Sequence, residues 1–292
     1  MNMKLNYNIL FAAFTAVLAS RSAMAQSADL TMKWKPDHEY TIKQSINLDM
    51  TMPNPQGAGD IATKMNMVMG MKGPSSSDAQ GTIVDMNFDT ISMNMNMGGK
   101  VIMNYDSAKP NPESPMDKAM APLLELKFKT LYGKDGKFIE LKDFDGEQLP
   151  PKMGLTKDSL ESMMRQQSEM IPHREVKVGE IWEANLRVPM QGFEEGLSCN
   201  YDFKLTSVKE IDGKQIARIE FAADMDKAKV KQNGIDMVLS AKSISGHYLF
   251  DVKEGQFTES AASFDMVAEL QDMEMKMQMS MKIDFGNSEL KK

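Results

Sequence analysis

The chain of 292 residues has little of the side-chain chemistry on which most enzymes and metalloproteins depend. Its three histidines, His38, His173 and His247, are far apart in the sequence and do not form the HExxH spacing of a zinc site. The chain also lacks a GxSxG motif, a P-loop and a dinucleotide-binding motif. The sequence therefore predicts a protein that is not an enzyme and has no metal and no cofactor. An enzyme would require a fold that places a histidine beside carboxylates in a cleft.

Cysteine is almost absent, since Cys199 is the single one. One cysteine cannot form an intramolecular disulfide, so the hydrophobic core alone must hold the fold together. A lone thiol of this kind is usually buried and inert. We therefore expect a structural role for Cys199.

Aromatic residues and excess positive charge are also scarce. The 13 Phe, 6 Tyr and 2 Trp are few for an outer-membrane barrel, whose lipid face is flanked by aromatic girdles. The formal net charge is −7, whereas nucleic acids and anionic membranes select for clusters of Lys and Arg. The sequence predicts no nucleic acid partner.

Long apolar runs are missing except near the N-terminus. Residues 1–25 are predicted to be a signal peptide, with Lys4, an apolar stretch at Ile9 to Ala19, and cleavage after Ala25. That stretch is shorter than the about 20 residues that span a bilayer, and no transmembrane segment follows in the mature chain. Gln26 stands where a lipid anchor needs Cys. We expect a periplasmic or secreted protein, whose formal charge becomes −9 once Lys4 and Arg21 are removed.

Methionine is the abundant residue, with 30 copies, and it follows a strict pattern. Apolar and polar residues alternate in several segments, which is typical of a half-buried strand. In a helix a two-residue step is about 200°, which would scatter these side chains around the whole circumference. The pattern therefore predicts strands. The alternating runs contain Met65, Met67, Met69 and Met71, then Met93, Met95 and Met97, and later Met273, Met275, Met277, Met279 and Met281.

Turn and helix signals complete the predicted secondary structure. Gly98-Gly99, Asp135-Gly136 and Asp212-Gly213 predict hairpins, and the change of parity near Thr90 predicts a β-bulge or a bend. Two stretches are predicted to be helical, namely Met116 to Leu126 after Pro115 and Thr156 to Ile171 before Pro172.

The predicted fold class is mainly β, with antiparallel meander sheets forming an open barrel or a sandwich and with two short helices. Residues 26–292 form the β-rich mature protein. A division into halves 26–150 and 172–292, joined by a helix at 156–171, fits this pattern. A single continuous sheet fits it equally well.

The methionine-bearing faces allow three interpretations. They can be ordinary buried core, since one face of an antiparallel sheet is usually covered. They can bind an apolar or lipid-like ligand or an envelope protein, because methionine packs adaptably. They can bind Cu(I) or Ag(I) through thioethers. The sequence carries no signal for an oligomeric state. The candidate ligand-binding residues are Met65, Met67, Met69, Met93, Met95, Met97, Met275, Met277 and Met279.

One segment carries a resemblance to a known family. Pro172 to Trp182 reads PHREVKVGEIW, and Tyr105-Asp106-Ser107 follows a methionine-rich hairpin further upstream. These features resemble a family of secreted or lipid-anchored bacterial proteins of similar length that is classed only as a domain of unknown function. The resemblance implies a location in the cell envelope and no particular activity. From the residues themselves, Gly179 is expected to form a turn and Trp182 to anchor the core.

Overall fold

The computed structural model describes residues 26–51, 60–77, 80–144, 156–188, 197–232, 235–270 and 273–289. The predicted signal peptide lies outside these residues. The described chain has two helices, α1 (Pro115–Glu125) and α2 (Lys157–Glu169). Its strands are β1 (Ser27–Asp29), β2 (His38–Thr51), β3 (Ile61–Ser77), β4 (Gly81–Met97), β5 (Lys100–Asp106), β6 (Lys127–Gly133), β7 (Phe138–Lys142), β8 (Glu175–Lys177), β9 (Ile181–Val188), β10 (Leu197–Ile211), β11 (Lys214–Met225), β12 (Ala228–Gln232), β13 (Ile235–Asp251), β14 (Gln256–Leu270) and β15 (Met273–Glu289).

One antiparallel sheet contains nearly all of these strands. Its order is β7-β6-β4-β3-β2-β15-β14-β13-β11-β10-β9, with β5 added beside β4 and β12 beside β13. Strands β1 and β8 form a separate pair. The centre of the large sheet is the pairing of β2 with β15, in which Met50 lies opposite Met277. A mainly β, antiparallel fold with two short helices is therefore confirmed, and the sheet is continuous through both parts of the chain.

The local signals of the sequence are confirmed by the backbone. Gly98 and Gly99 both have positive φ, 55° and 77°, as the two-residue turn between β4 and β5 requires. Asp212 and Gly213 repeat this at the turn between β10 and β11, with φ of 51° and 75°. The register of β3 with β4 shifts at Val68, which faces Thr90, so the change of parity is a bulge.

Both helices lie within a residue or two of the predicted stretches, and each has a capped N-terminus. In α1 the Ser114 side chain accepts hydrogen bonds from the backbone N–H groups of Met116 and Asp117. In α2, Thr156 and Ser159 form a reciprocal capping box. Both caps satisfy N–H groups that a helix N-terminus would otherwise leave without partners.

Helix α2 covers an edge of the sheet. Its Ser168 hydroxyl accepts a hydrogen bond from the Phe138 N–H at 3.0 Å, and its Glu161 carboxylate accepts one from the Leu141 N–H at 3.0 Å. Arg165 donates to the Ile139 carbonyl at 3.2 Å. These bonds occupy backbone groups of β7 that an exposed edge strand would offer to another chain.

The same helix also contacts β9, the strand at the other end of the sheet. A sheet whose two ends meet one helix must curl through most of a circle. It therefore has a concave inward face and a convex outward face. Within the described residues β7 and β9 do not pair with each other, so the curled sheet stays open and α2 lies at the gap.

Two aromatic clusters fill the inward face near α2. The larger cluster surrounds Phe203, which is 1% exposed and stacks on Trp182 and Tyr201 at centroid distances of 5.7 and 5.8 Å. The smaller cluster contains Tyr40, Phe88, Phe128 and Phe138. Trp182 packs against the larger cluster and its indole N–H donates to the Met170 carbonyl at 3.0 Å. The expected anchoring role of Trp182 is consistent with this position.

The segment before β2 connects the two clusters. Leu30 is fully buried in the larger cluster, and Trp34 packs in the smaller one, where its ring lies 4.8 Å from that of Tyr132. Lys33 donates its backbone N–H to the Gly255 carbonyl at 2.9 Å, which fixes the segment to the turn between β13 and β14. The inward face is therefore closed by packed side chains at this end.

Candidate functional site

The other end of the inward face is lined by methionine. Strands β2, β3, β4 and β15 extend beyond the aromatic clusters, and many of their inward positions there carry unbranched thioether side chains. Each of these methionine side chains is half-buried, so part of its surface contacts other residues and part stays accessible. We call this surface the methionine face and define it as Met50, Met65, Met93, Met95, Met277 and Met279.

Cross-strand pairing brings these methionines together across four neighbouring strands. Met65 on β3 lies directly opposite Met93 on β4, and Met50 on β2 lies directly opposite Met277 on β15. Side chains opposite each other on one face of an antiparallel pair have Cβ atoms about 4.5–5.5 Å apart. The six thioethers therefore form one surface rather than isolated contacts.

The surface is apolar except at one position. Ile46 and Leu48 fill the inward positions of β2 between the methionines, and Thr63 is the polar inward residue among them on β3. These described positions carry no ionisable side chain. Next to the face, the Gln44 amide donates to the Met281 sulfur at 3.1 Å, so the neighbouring polar group is satisfied by a thioether. These positions offer no opposite charge to a charged ligand, which would therefore lose its hydration without compensation. An apolar ligand has no such desolvation penalty there.

The structure distributes the nine candidate residues over four environments, of which Met275 alone occupies the one beside Leu239 and Ala268 without belonging to the methionine face. Met65, Met93, Met95, Met277 and Met279 lie on the methionine face, and Met277 also packs with Met275 against the buried Leu239 and Ala268. Met67 and Met69 pack against the smaller aromatic cluster. Met97 is 36% exposed at the turn between β4 and β5. Their role in binding stays a prediction.

Met50 is the member that the sequence reasoning did not include among its candidates. Met50 lies near the end of β2, and the inward positions before it carry isoleucine and leucine, so β2 does not show the repeated methionine of the other runs. Its position opposite Met277 follows from pairing between strands that are far apart in the sequence. The available signal was that β2 and β15 both alternate with period two, with Met50 and Met277 on the apolar positions of their strands.

Groups with acid–base or nucleophilic chemistry lie apart from this face. The Nε2 atom of His247 lies 3.3 Å from a carboxylate oxygen of Glu259. The neighbouring residues Gly246 and Tyr248 face inward, so His247 lies on the outward face. Burial lowers the pKa of His173 and raises the pKa of the Cys199 thiol, so each is held in its neutral form. Within the described ranges, no group of three or more His, Cys, Asp and Glu side chains is placed to hold a metal ion.

Neither helix in the described part of the chain has the length and hydropathy needed to cross a membrane.

A family match supports the predicted resemblance in one part of the chain. Residues 79–146 match a family of unknown function, DUF6263. The matched segment contains β4, β5, α1, β6 and β7, and with them Met93, Met95 and the Tyr105-Asp106-Ser107 sequence. Similarity to a domain of unknown function is therefore confirmed, although Pro172 to Trp182 lies outside the match. None of the curated proteins matches this chain.

Solved structures give weaker similarities. A β-barrel-like protein of the domain of unknown function DUF1849 from Brucella abortus is 10% identical, with 87% of this chain and 100% of that chain covered and a TM-score of 0.22. DynF from the dynemicin biosynthesis pathway of Micromonospora chersina is 8% identical, with 89% and 85% covered and a TM-score of 0.19. TM-scores this low do not establish a shared fold.

Proposed function

We propose that this chain is a non-enzymatic exported protein, periplasmic or secreted, that binds an apolar, lipid-like ligand on the methionine face. The observation that carries the proposal is the half-burial of six methionines on one concave surface without ionisable side chains. Two aromatic clusters close the opposite end of the same inward face. The inward face is therefore closed by packed side chains at one end and presents an apolar methionine surface at the other.

The choice of methionine favours an unbranched and conformationally mobile ligand. Methionine has three rotatable side-chain bonds and a polarizable sulfur, so a methionine surface repacks around different apolar shapes. Leucine or valine, which have fewer conformations, would form a surface of fixed shape. A surface of this kind suits acyl chains that differ in length or unsaturation.

The dimensions of the inward face fit such a ligand. From Ile42 beside the smaller aromatic cluster to Met50 at the far end of the inward face, β2 rises by roughly 26 Å at about 3.3 Å per residue. This span is comparable to an extended long-chain acyl group. The ligand would lie along β2 and β15 with its apolar end towards the aromatic clusters.

A fatty-acid titration tests the proposal. Mature protein is titrated with a fluorescent polyene fatty acid, whose emission rises in an apolar site, and the lipid extract of the purified protein is analysed by mass spectrometry. Met279→Glu is expected to weaken binding at least tenfold, because burying a carboxylate without a partner costs several kcal/mol. Gln278→Glu is the matched control, since Gln278 precedes Met279 on the same strand and is exposed on the outward face.

The two variants separate a binding face from a general effect of charge. Binding that is lost in Met279→Glu and kept in Gln278→Glu supports the proposal, provided that both variants keep the circular-dichroism spectrum of the parent. Equal binding by both variants, or no enhancement of the fatty-acid emission with the parent protein, would show that the face is not a lipid site.

A second candidate function is supported by the cross-strand register. The pairs Met65–Met93 and Met50–Met277 place thioethers opposite each other, and thioethers are soft ligands suited to Cu(I) or Ag(I). Titration with Cu(I) against a competing chelator tests this function. Transfer of copper to the parent but not to a Met65→Leu, Met93→Leu double variant would support it, and no transfer to the parent would end it.

A further inference from the structure

A polar pocket of about 410 Å³ lies on strands β3, β4 and β5, where the chain leaves β5 for α1. This volume falls within the range of small-molecule sites, about 300–1,000 Å³. Two of its lining residues, Met93 and Tyr105, are not strongly polar. The other lining residues are Lys64, Asn66, Ser92, Asn94, Asn104, Asp106, Lys109, Asn111, Ser114 and Asp117.

The strand residues of this pocket form two cross-strand rows. Asn94 pairs with Lys64 on one side and with Asn104 on the other, and Ser92 pairs in the same way with Asn66 and Asp106. Each row alternates along its strands with inward residues such as Met65 and Met93. Successive side chains of a strand point to opposite faces, so these rows belong to the outward face. The polar rows and the methionine face therefore lie on opposite sides of the same strands, and Met93 of the methionine face also borders the pocket beside its cross-strand partner Tyr105.

Hydrogen bonds between the side chains orient the polar groups of the rows. The Ser45 hydroxyl donates to the Asn66 amide oxygen at 2.9 Å, and the Asn66 amide nitrogen donates to the Ser92 hydroxyl at 3.2 Å. The Asn94 amide nitrogen donates to the Asn104 amide oxygen at 3.2 Å. Since each bond fixes which end of an amide faces its neighbour, the Ser92 hydroxyl hydrogen and the Asn104 amide nitrogen stay available as donors.

The charged groups of the pocket balance one another. Lys109 lies 3.6 Å from Asp106, and Asp117 accepts a hydrogen bond from the backbone N–H of Asn111 at 2.9 Å. Lys64 has no ion-pair partner among the described residues. Two lysines and two aspartates give no net charge, so the pocket does not select strongly for an anion or a cation.

We propose that this pocket binds a neutral saccharide. A sugar ring presents closely spaced hydroxyl groups, each of which donates and accepts hydrogen bonds. The pocket offers matching amide, hydroxyl and carboxylate groups, which together supply both functions. A multiply charged ligand would meet like charge from either the lysines or the aspartates. An apolar ligand would bury the remaining donors, such as the Ser92 hydroxyl hydrogen and the Asn104 amide nitrogen, without partners at a cost of about 1–3 kcal/mol each.

Binding to a printed array of neutral and acidic glycans tests this proposal with the labelled mature protein. Neutral glycans are expected to bind, and Asn94→Leu is expected to weaken binding at least tenfold because it removes both amide functions at similar volume. Asn104→Ala is a second variant at an exposed lining position, where truncation is expected to leave the fold intact. Asn47→Leu is the matched control, because Asn47 lies opposite Lys64 in the same outward row but outside the pocket.

The outcomes separate this pocket from the lipid proposal. Met279→Glu changes the inward face alone, so it is expected to leave glycan binding unchanged whether or not it affects fatty-acid binding. An array without binding to neutral glycans, binding restricted to charged glycans, or equal binding by the parent, Asn94→Leu and Asn104→Ala would each overturn the saccharide site.

Discussion

The two ends of the inward face are built from different side chains and reach different degrees of burial. Near α2, Phe203, Leu205 and Phe250 are at most 1% exposed, and aromatic rings contact one another across β9, β10, β11 and β13. At the other end, the methionine face stays half-buried although its residues alternate just as strictly. Period-two alternation therefore reports which side of a strand points inward, but it does not report whether that side is covered.

Methionine itself shows the same contrast. Met71 and Met86 pair across β3 and β4 within the smaller aromatic cluster, and each is 5% exposed. Met65 and Met93 pair across the same two strands a few residues away and stay half-buried. The difference comes from the neighbours, because Phe128, Leu141 and α2 cover the first pair.

The largest effect is expected at the centre of the larger aromatic cluster. Phe203→Ala should lower the free energy of unfolding by about 3–5 kcal/mol, the range for truncating a buried phenylalanine. Met65→Ala should lower it by less than about 2 kcal/mol, since a half-buried side chain leaves a smaller cavity. Urea denaturation followed by tryptophan fluorescence measures both. Equal losses in the two variants would contradict the contrast between the two ends.

An intermediate effect is expected at alkaline pH. Burial raises the pKa of Tyr40, Tyr105, Tyr132 and Tyr248, and raises that of Tyr201 to about 12. The unfolded chain loses these protons near its ordinary tyrosine pKa of about 10, whereas the folded chain keeps them, so stability is intact below pH about 10 and falls above it.

Absorbance of tyrosinate against pH checks this expectation. The five tyrosines should ionise together as the protein unfolds, with a loss of about 1.4 kcal/mol per pKa unit for each. Gradual ionisation near pH 10 with the circular-dichroism spectrum unchanged would show that the aromatic clusters are open to solvent.

The smallest effect is expected from mild oxidation. Dilute hydrogen peroxide should convert Met97 and Met273, which are 36% and 46% exposed, and then the methionine face, before it reaches Met71 and Met86. Sulfoxides on a half-buried surface should change the free energy of unfolding by about 1 kcal/mol or less, since surface changes away from packed features are small. Peptide mass spectrometry over time gives the order of conversion. Early conversion of Met86 would mean that the two ends pack alike.

Much of the fold follows from local signals in the sequence. The Gly98-Gly99 and Asp212-Gly213 turns, the bulge next to Thr90 and both helices are confirmed, because each depends on residues close together in the chain. The antiparallel class follows in the same way from alternation.

What was not predictable depends on pairing over long distances. The alignment of Met50 with Met277 and the contact of α2 with both ends of the sheet join residues that no short pattern connects. The rows of Asn94 and Ser92 depend in the same way on the register across β3, β4 and β5, which the alternation of a single strand does not give. The pocket therefore could not be found before the sheet was assembled.

The pairing of β2 with β15 also has a consequence for how the protein folds. These strands come first and last in the large sheet by sequence, yet they lie side by side at its centre. A chain that emerges from its N-terminus can form the β2–β3–β4 meander early, but it cannot join this to the second meander until β15 has arrived. Contacts of such long sequence separation make folding slow. We therefore expect the half-finished sheet to need protection from aggregation until its last strand is in place.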